Sequence, residues 1–151
     1  MYLEEIPKYR DTIVQQLLKS DTIISLLGTD ESRPKKPSDM VYQYLYPYDR
    51  IIDKTSEAGN YLCFDIVAPR IINRAFTDFR IYFWIISHDR WMQTPKGLAS
   101  DLLSIEVEHI MNGSRDFGLG TVELTGWDRF NSAECFHGRS LVYRTVDFNR
   151  E

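Results

Sequence analysis

Cys135 and His137 are the pair in this sequence whose types and spacing best suit nucleophilic catalysis. A thiol sits two residues from a base, and strand alternation would set both side chains on one face. The preferred reading of Cys135-Phe-His137 is nonetheless a loop-to-strand junction, and of His88-Asp89-Arg90 a strand end entering a turn. The three histidines, at 88, 109 and 137, are scattered. With two cysteines and neither a His-x-x-x-His nor a Cys-x-x-Cys pair, a zinc site is not expected. Gly118-Leu-Gly120 lacks the further glycine, or the Lys-Ser or Lys-Thr, of a phosphate-binding loop. A nuclease of the kind that pairs an Asp with Glu-x-Lys is also unsupported, because no Asp or Glu has a lysine two residues later. Glu106 and Glu108, on a helix, would lie roughly 200° apart and cannot share a metal. The expectation is a protein without catalytic residues, cofactor or metal.

Such a protein acts through surfaces, and its composition fits that. The 151 residues suit one domain, long enough to bury roughly 68–70% of its unfolded surface. Hydrophobic residues at 43% and charged residues at 26% argue against disorder. The longest apolar run, residues 81–86, is too short to span a membrane, and the acidic start lacks the basic and apolar regions of a signal peptide. The expectation is a reduced, soluble, intracellular product. Net charge −4 speaks against a general nucleic-acid binder. The cations are 12 Arg to 6 Lys, with nine Tyr, eight Phe and three Trp beside them. Arginine and aromatic rings are enriched where proteins assemble.

The elements follow from periodicity. Pro7 opens a helix over 7–19, with Ile6, Ile13, Val14, Leu17 and Leu18 at helical spacing. Ser20 or Asp21 caps a short second helix, 22–27, which Gly28 closes. Residues 60–67 read as a strand ended by Pro69. Residues 77–88 read as a stronger one, with Arg70 and Arg74 in a long hairpin tip between the two. Residues 95–112 form a helix with an apolar stripe of Leu98, Leu102, Ile105 and Met111, widened by Leu103 and Ile110, and with Asp101, Ser104 and Glu108 on its wet side. Two further strands, 121–127 and 138–148, complete the chain. The order helix, long loop, strand pair, helix, strand pair predicts a single α+β domain over residues 1–151. Its sheet is mixed or antiparallel and four-stranded, with helices on one face.

Residues 29–59 make a long loop or arm, polar and proline-punctuated in its first half. The second half holds Tyr42, Tyr44, Tyr46 and Tyr48, which alternation in an extended segment would place on one side. That much ring surface needs a cover, so the segment either folds back on its own domain or is received by a neighbouring subunit. Strand 79–86 is apolar on both faces, with Tyr82 and Trp84 on the second, and one helical layer leaves that face open. For that sheet face a neighbouring subunit is the simplest cover. The six candidate interface residues are therefore Tyr42, Tyr44, Tyr46, Tyr48, Tyr82 and Trp84.

The stretch Tyr46-Pro-Tyr-Asp-Arg-Ile-Ile-Asp-Lys-Thr-Ser-Glu-Ala-Gly-Asn-Tyr-Leu-Cys-Phe-Asp-Ile and the closing Gly138-Arg-Ser-Leu-Val-Tyr-Arg-Thr-Val-Asp-Phe-Asn resemble segments of tailed-phage virion proteins. With the element order, nearly the whole chain looks like a neck protein of the tail-terminator or tail-completion (head–tail joining) kind. The resemblance implies a structural subunit of a virion ring, six-fold, set between the tail tube protein and the head-completion or connector proteins. DNA would pass through the lumen without sequence-specific contact, and assembly would occur in the host cytoplasm. The competing classes are a small protein-binding or regulatory module and a hydrolase or nuclease with an unrecognised site.

Overall fold

The computed structural model describes residues 3–28, 36–53, 55–71, 76–114 and 121–148. A 3-10 turn, Leu3–Glu5, leads into α1 (Ile6–Leu18), and α2 (Asp21–Leu26) follows. Ser20 is the cap between them, its hydroxyl accepting the Ile23 N–H at 3.2 Å. Gly28 then takes φ +77° and bridges to Asn60, where the expected close of the helix becomes the start of a sheet contact.

Five strands rather than four form the main sheet, in the order β1 (Leu45–Tyr46), β2 (Asn60–Ile71), β3 (Phe76–His88), β7 (Phe136–Phe148), β6 (Glu123–Asn131). Every pairing is antiparallel except that of β1 with β2, so the sheet is mixed. Pro69 does not end β2. The register shifts between Val67 and Arg70, and this irregularity holds the residue that cannot donate to the ladder. Before the last helix come a four-residue turn of helix, α3 (Asp89–Met92), and a small hairpin of β4 (Gln93–Thr94) and β5 (Gly97–Leu98). Arg74, the glycines at 118 and 120, and loop residues 29–35 lie outside the described residues.

The helices cover the face that carries Leu62, Phe64, Phe79, Ile81, Phe83, Ile85, Leu141 and Tyr143, all buried. The fourth helix, α4 (Ala99–Met111), lies across β3 and β7, α1 across β2, and α2 against α4. The α4 stripe is rotated from the expected one. Ala99, Ser100, Leu103, Ser104, Val107 and Met111 face the sheet, while Leu98 and Ile105 are exposed. Buried Ser104 donates to the Ser100 carbonyl and accepts from Trp127 Nε1, so its hydroxyl is satisfied, and small residues bring α4 close to the strands. Among the described residues no helix is long and apolar enough to cross a membrane.

Candidate assembly surfaces

The tyrosine segment is a turn, not an extended arm. A 3-10 helix, Pro37–Met40, presents the Met40 carbonyl to the N–H groups of both Gln43 and Tyr44. Tyr42 is held at φ +67°, a left-handed conformation uncommon for a bulky residue. The alternation expected for the four rings is therefore broken. Tyr44 is 3% exposed, packed against Gly28 and with its ring 5.5 Å from that of Tyr61. Tyr46 is also buried, donating to the Gln43 carbonyl and lying under the Arg50 guanidinium at 4.8 Å. Burial raises its phenol's pKa, with Arg50 partly opposing the shift. Tyr44 and Tyr46 are thus core of their own chain. Tyr42, 64% exposed, and Tyr48, also exposed, are the rings that reach solvent, 6.3 Å apart.

The chain after Tyr46 then crosses the sheet face opposite the helices. Ile52 is buried there, and burial pushes the Cys63 thiol up to about 12. Much of the cover expected from a neighbouring subunit therefore comes from residues 47–53 of the same chain. A groove of about 540 Å³ remains between residues 49–53 and Trp84, Ile86 and Phe130. Tyr82 and Trp84 are half-buried on this face and stack at 5.8 Å, nearly parallel. Beside them Asp78, 1% exposed, accepts from Arg144 Nε at 3.1 Å and from Arg80 at 3.4 Å. Burial alone would raise this carboxyl's pKa, but the two guanidinium groups outweigh it and hold the value low.

The far edge of the sheet is β6. Its Trp127 is 47% exposed, covered on one side by the Arg139 guanidinium at 4.6 Å. With Ile105 and Leu124 it lines a groove of about 400 Å³ between α4 and β6. Among the described residues, five of the six exposed large apolar side chains fall into two groups at opposite edges. Tyr42 and Tyr48 stand beside β1, and Leu98, Ile105 and Trp127 stand beside β6, while Ile51 lies between them in the groove that Trp84, Ile86 and Phe130 line. Four strand intervals of about 4.8 Å put the two edges about 19 Å apart. Ile51, Leu98, Ile105 and Trp127 were not among the sequence candidates. An unrotated α4 stripe conceals two of them, and an edge strand is not distinguishable from a central one by alternation alone.

The catalytic candidates Cys135 and His137 line a groove of about 700 Å³ that Leu98 also borders. Cys135 precedes β7 at φ +66° and is exposed, while the His137 ring contacts Asp89 as an exposed pair. His88 Nδ1 accepts the Arg90 N–H, which starts α3. Glu106 accepts from Ser20 and Glu108 from Tyr143, on different sides of α4 as their spacing predicted. Burial, followed by the bond to Glu108, raises the Tyr143 phenol's pKa. Among the described residues no group of three or more His, Cys, Asp or Glu is placed to hold a metal.

The geometry is that of a small α+β subunit with two unlike apolar edges. Residues 20–145 match the family described as YomW, and a match over most of the chain means that it belongs to the YomW family. It is accordingly a phage-related protein, as the resemblance of its motifs implied. No curated protein matches the sequence.

Proposed function

We propose that the chain is a structural virion protein of a tailed phage, forming a ring at the head–tail interface as tail-terminator and tail-completion proteins do. The observation that carries this reading is the separation of Tyr42 and Tyr48 from Leu98, Ile105 and Trp127, two different exposed patches at opposite edges of one sheet. A two-fold dimer uses one self-complementary patch. Two unlike patches make head-to-tail contacts, which close into a ring when the rotation per subunit allows. Tyr42 adds support, since a strained backbone costing about 1–3 kcal/mol here presents a ring to solvent rather than to the core.

In this reading the interface residues are Tyr42 and Tyr48 on one edge and Trp127 and Ile105 on the other, with Tyr82 and Trp84 on the face between. Tyr44 and Tyr46 hold the first edge in shape. The partners are copies of the same chain, six in the ring, then the tail tube protein and the head-completion or connector proteins. The chain performs no catalytic step and resides in the virion neck, reached from the host cytoplasm during assembly. A net charge of −4 suits a lumen through which DNA slides, because tight neutralisation of phosphates would retard it. Deleting the gene from its phage tests the reading by electron microscopy of the lysate. Separate heads and tails, joined again on adding the purified chain, are expected, whereas joined particles at undiminished titre would contradict it.

A further inference from the structure

Arg129 on β6 and Arg139 on β7 are partners in the register of the two strands, so their side chains leave one sheet face side by side. Like charges directly opposite each other destabilise a sheet. The comparable pair on β3 and β7, Arg80 and Arg144, encloses its own counter-ion, Asp78. Among the described residues no carboxylate stands at ion-pair distance from Arg129 or Arg139. The second guanidinium is nonetheless held in place. Ser104 accepts the Trp127 Nε1–H at 3.1 Å, and the ring so fixed lies under Arg139 at 4.6 Å. Its planar fork is thereby oriented without being neutralised. Both arginines line the groove of about 700 Å³, with Met92, Leu98 and Phe130 among the apolar lining. His137 is in that lining too, its ring against Asp89, and none of the described residues lining it is acidic.

We propose that this groove is the docking site for a short acidic and apolar segment of a partner protein. Two carboxylates of the segment each meet one guanidinium fork, and an apolar side chain lies against Met92 and Leu98. Binding supplies the counter-ions that the pair lacks, so the repulsion present in the free chain is relieved in the complex. Nucleic acid is the other anion that two arginines could meet, and the surroundings select against it. Asp49 and Asp53 border the adjoining groove, which shares Phe130 and Ala133 with this one. Hydrogen bonds from Thr55 and Ser56 hold Asp53 in its charged form. A phosphate backbone, charged at every step, would run on past the two arginines over these acids, whereas a short segment ends before them. The net charge of −4 adds to that selection. This site goes beyond the ring reading and stands whether or not copies of the chain touch one another.

Fluorescence anisotropy tests the site with three labelled probes: a short peptide of alternating glutamate and leucine, the same peptide with glutamine for glutamate, and a DNA duplex. Wild type should bind the glutamate peptide, more weakly as salt is raised. It should bind that peptide at least about tenfold more tightly than either other probe, since one charge-assisted bond is typically worth about that factor. Arg129→Gln removes a charge and keeps the stem. Its affinity should fall about tenfold while its melting temperature holds or rises, because the repulsion with Arg139 is gone. Arg129→Lys, which keeps the charge without the fork, should fall between the two. A wild-type chain that binds no glutamate peptide, or binds the glutamine peptide as tightly, overturns the proposal. Tighter binding of the duplex also overturns it and makes the site one for phosphates. An Arg129→Gln chain that melts much earlier than wild type does so too, because the two arginines then do not oppose each other. The oligomeric state of the wild-type chain is read separately and bears on the ring alone.

Discussion

Truncating the four tyrosines one at a time separates core from surface. Tyr44 fills space against Gly28 and Tyr61, and replacing a buried aromatic by alanine typically costs about 3–5 kcal/mol. That is a large part of the roughly 5–15 kcal/mol that stabilises a domain. At about 2–4 °C per kcal/mol for a chain of this size, Tyr44→Ala should lower the melting temperature by about 10 °C. Tyr44→Phe should cost far less than Tyr44→Ala, because the ring keeps its packing and the hydroxyl's bond to Glu57 is long, at 3.4 Å. Tyr42→Gly should behave in the opposite way. It removes an exposed ring and relieves a left-handed backbone, so melting should hold or rise by an amount worth about 1 kcal/mol. If that ring is an interface anchor of about 2 kcal/mol, assembly should weaken by about thirtyfold. Calorimetry and sedimentation velocity on the same preparations read the two effects separately. The reasoning is refuted if Tyr44→Ala melts like wild type, or if Tyr42→Gly melts as early as Tyr44→Ala should.

Three further outcomes follow from the same packing. Gly28→Ala should lower stability by about 2–4 kcal/mol, seen in urea titration, since its Cβ would meet the Tyr44 ring at 2.9 Å and φ is +77°. Asp78 titrates lower in the folded chain than its ordinary 3.8, so the stability it confers is present above that value and is lost as pH falls through the folded one. Asp78→Asn should therefore flatten the acid limb of a stability–pH curve and leave the alkaline limb unchanged. A thiol reagent should modify exposed Cys135 in the native protein and reach Cys63 only on unfolding, as mass spectrometry of labelled peptides would report.

Both long helices, the Ser20 cap and the two-faced apolar character of β3 were legible in the sequence because each rests on local spacing. What covers the second face of β3 was not. Ile52 reaches it from a segment with no periodicity, and a two-residue strand such as Leu45–Tyr46 is too short to carry any. The tyrosine alternation failed at one backbone angle. Tyr42 turns the chain at φ +67° without the glycine, asparagine or proline that usually announces a turn. The α4 stripe misled for a different reason, since Ser100 and Ser104 are buried with their hydroxyls satisfied inside the fold. Reading Ser104 as wet and Ile105 as dry hides the exposed edge beside β6.

Native mass spectrometry of the purified chain, alone and with tail ends, tests the central claim most directly. The account predicts a single closed stoichiometry, six copies at about 107 kDa from the 17.8 kDa chain, with no larger series above it. A monomer at every concentration and on every tail, or an open ladder of sizes, would contradict it.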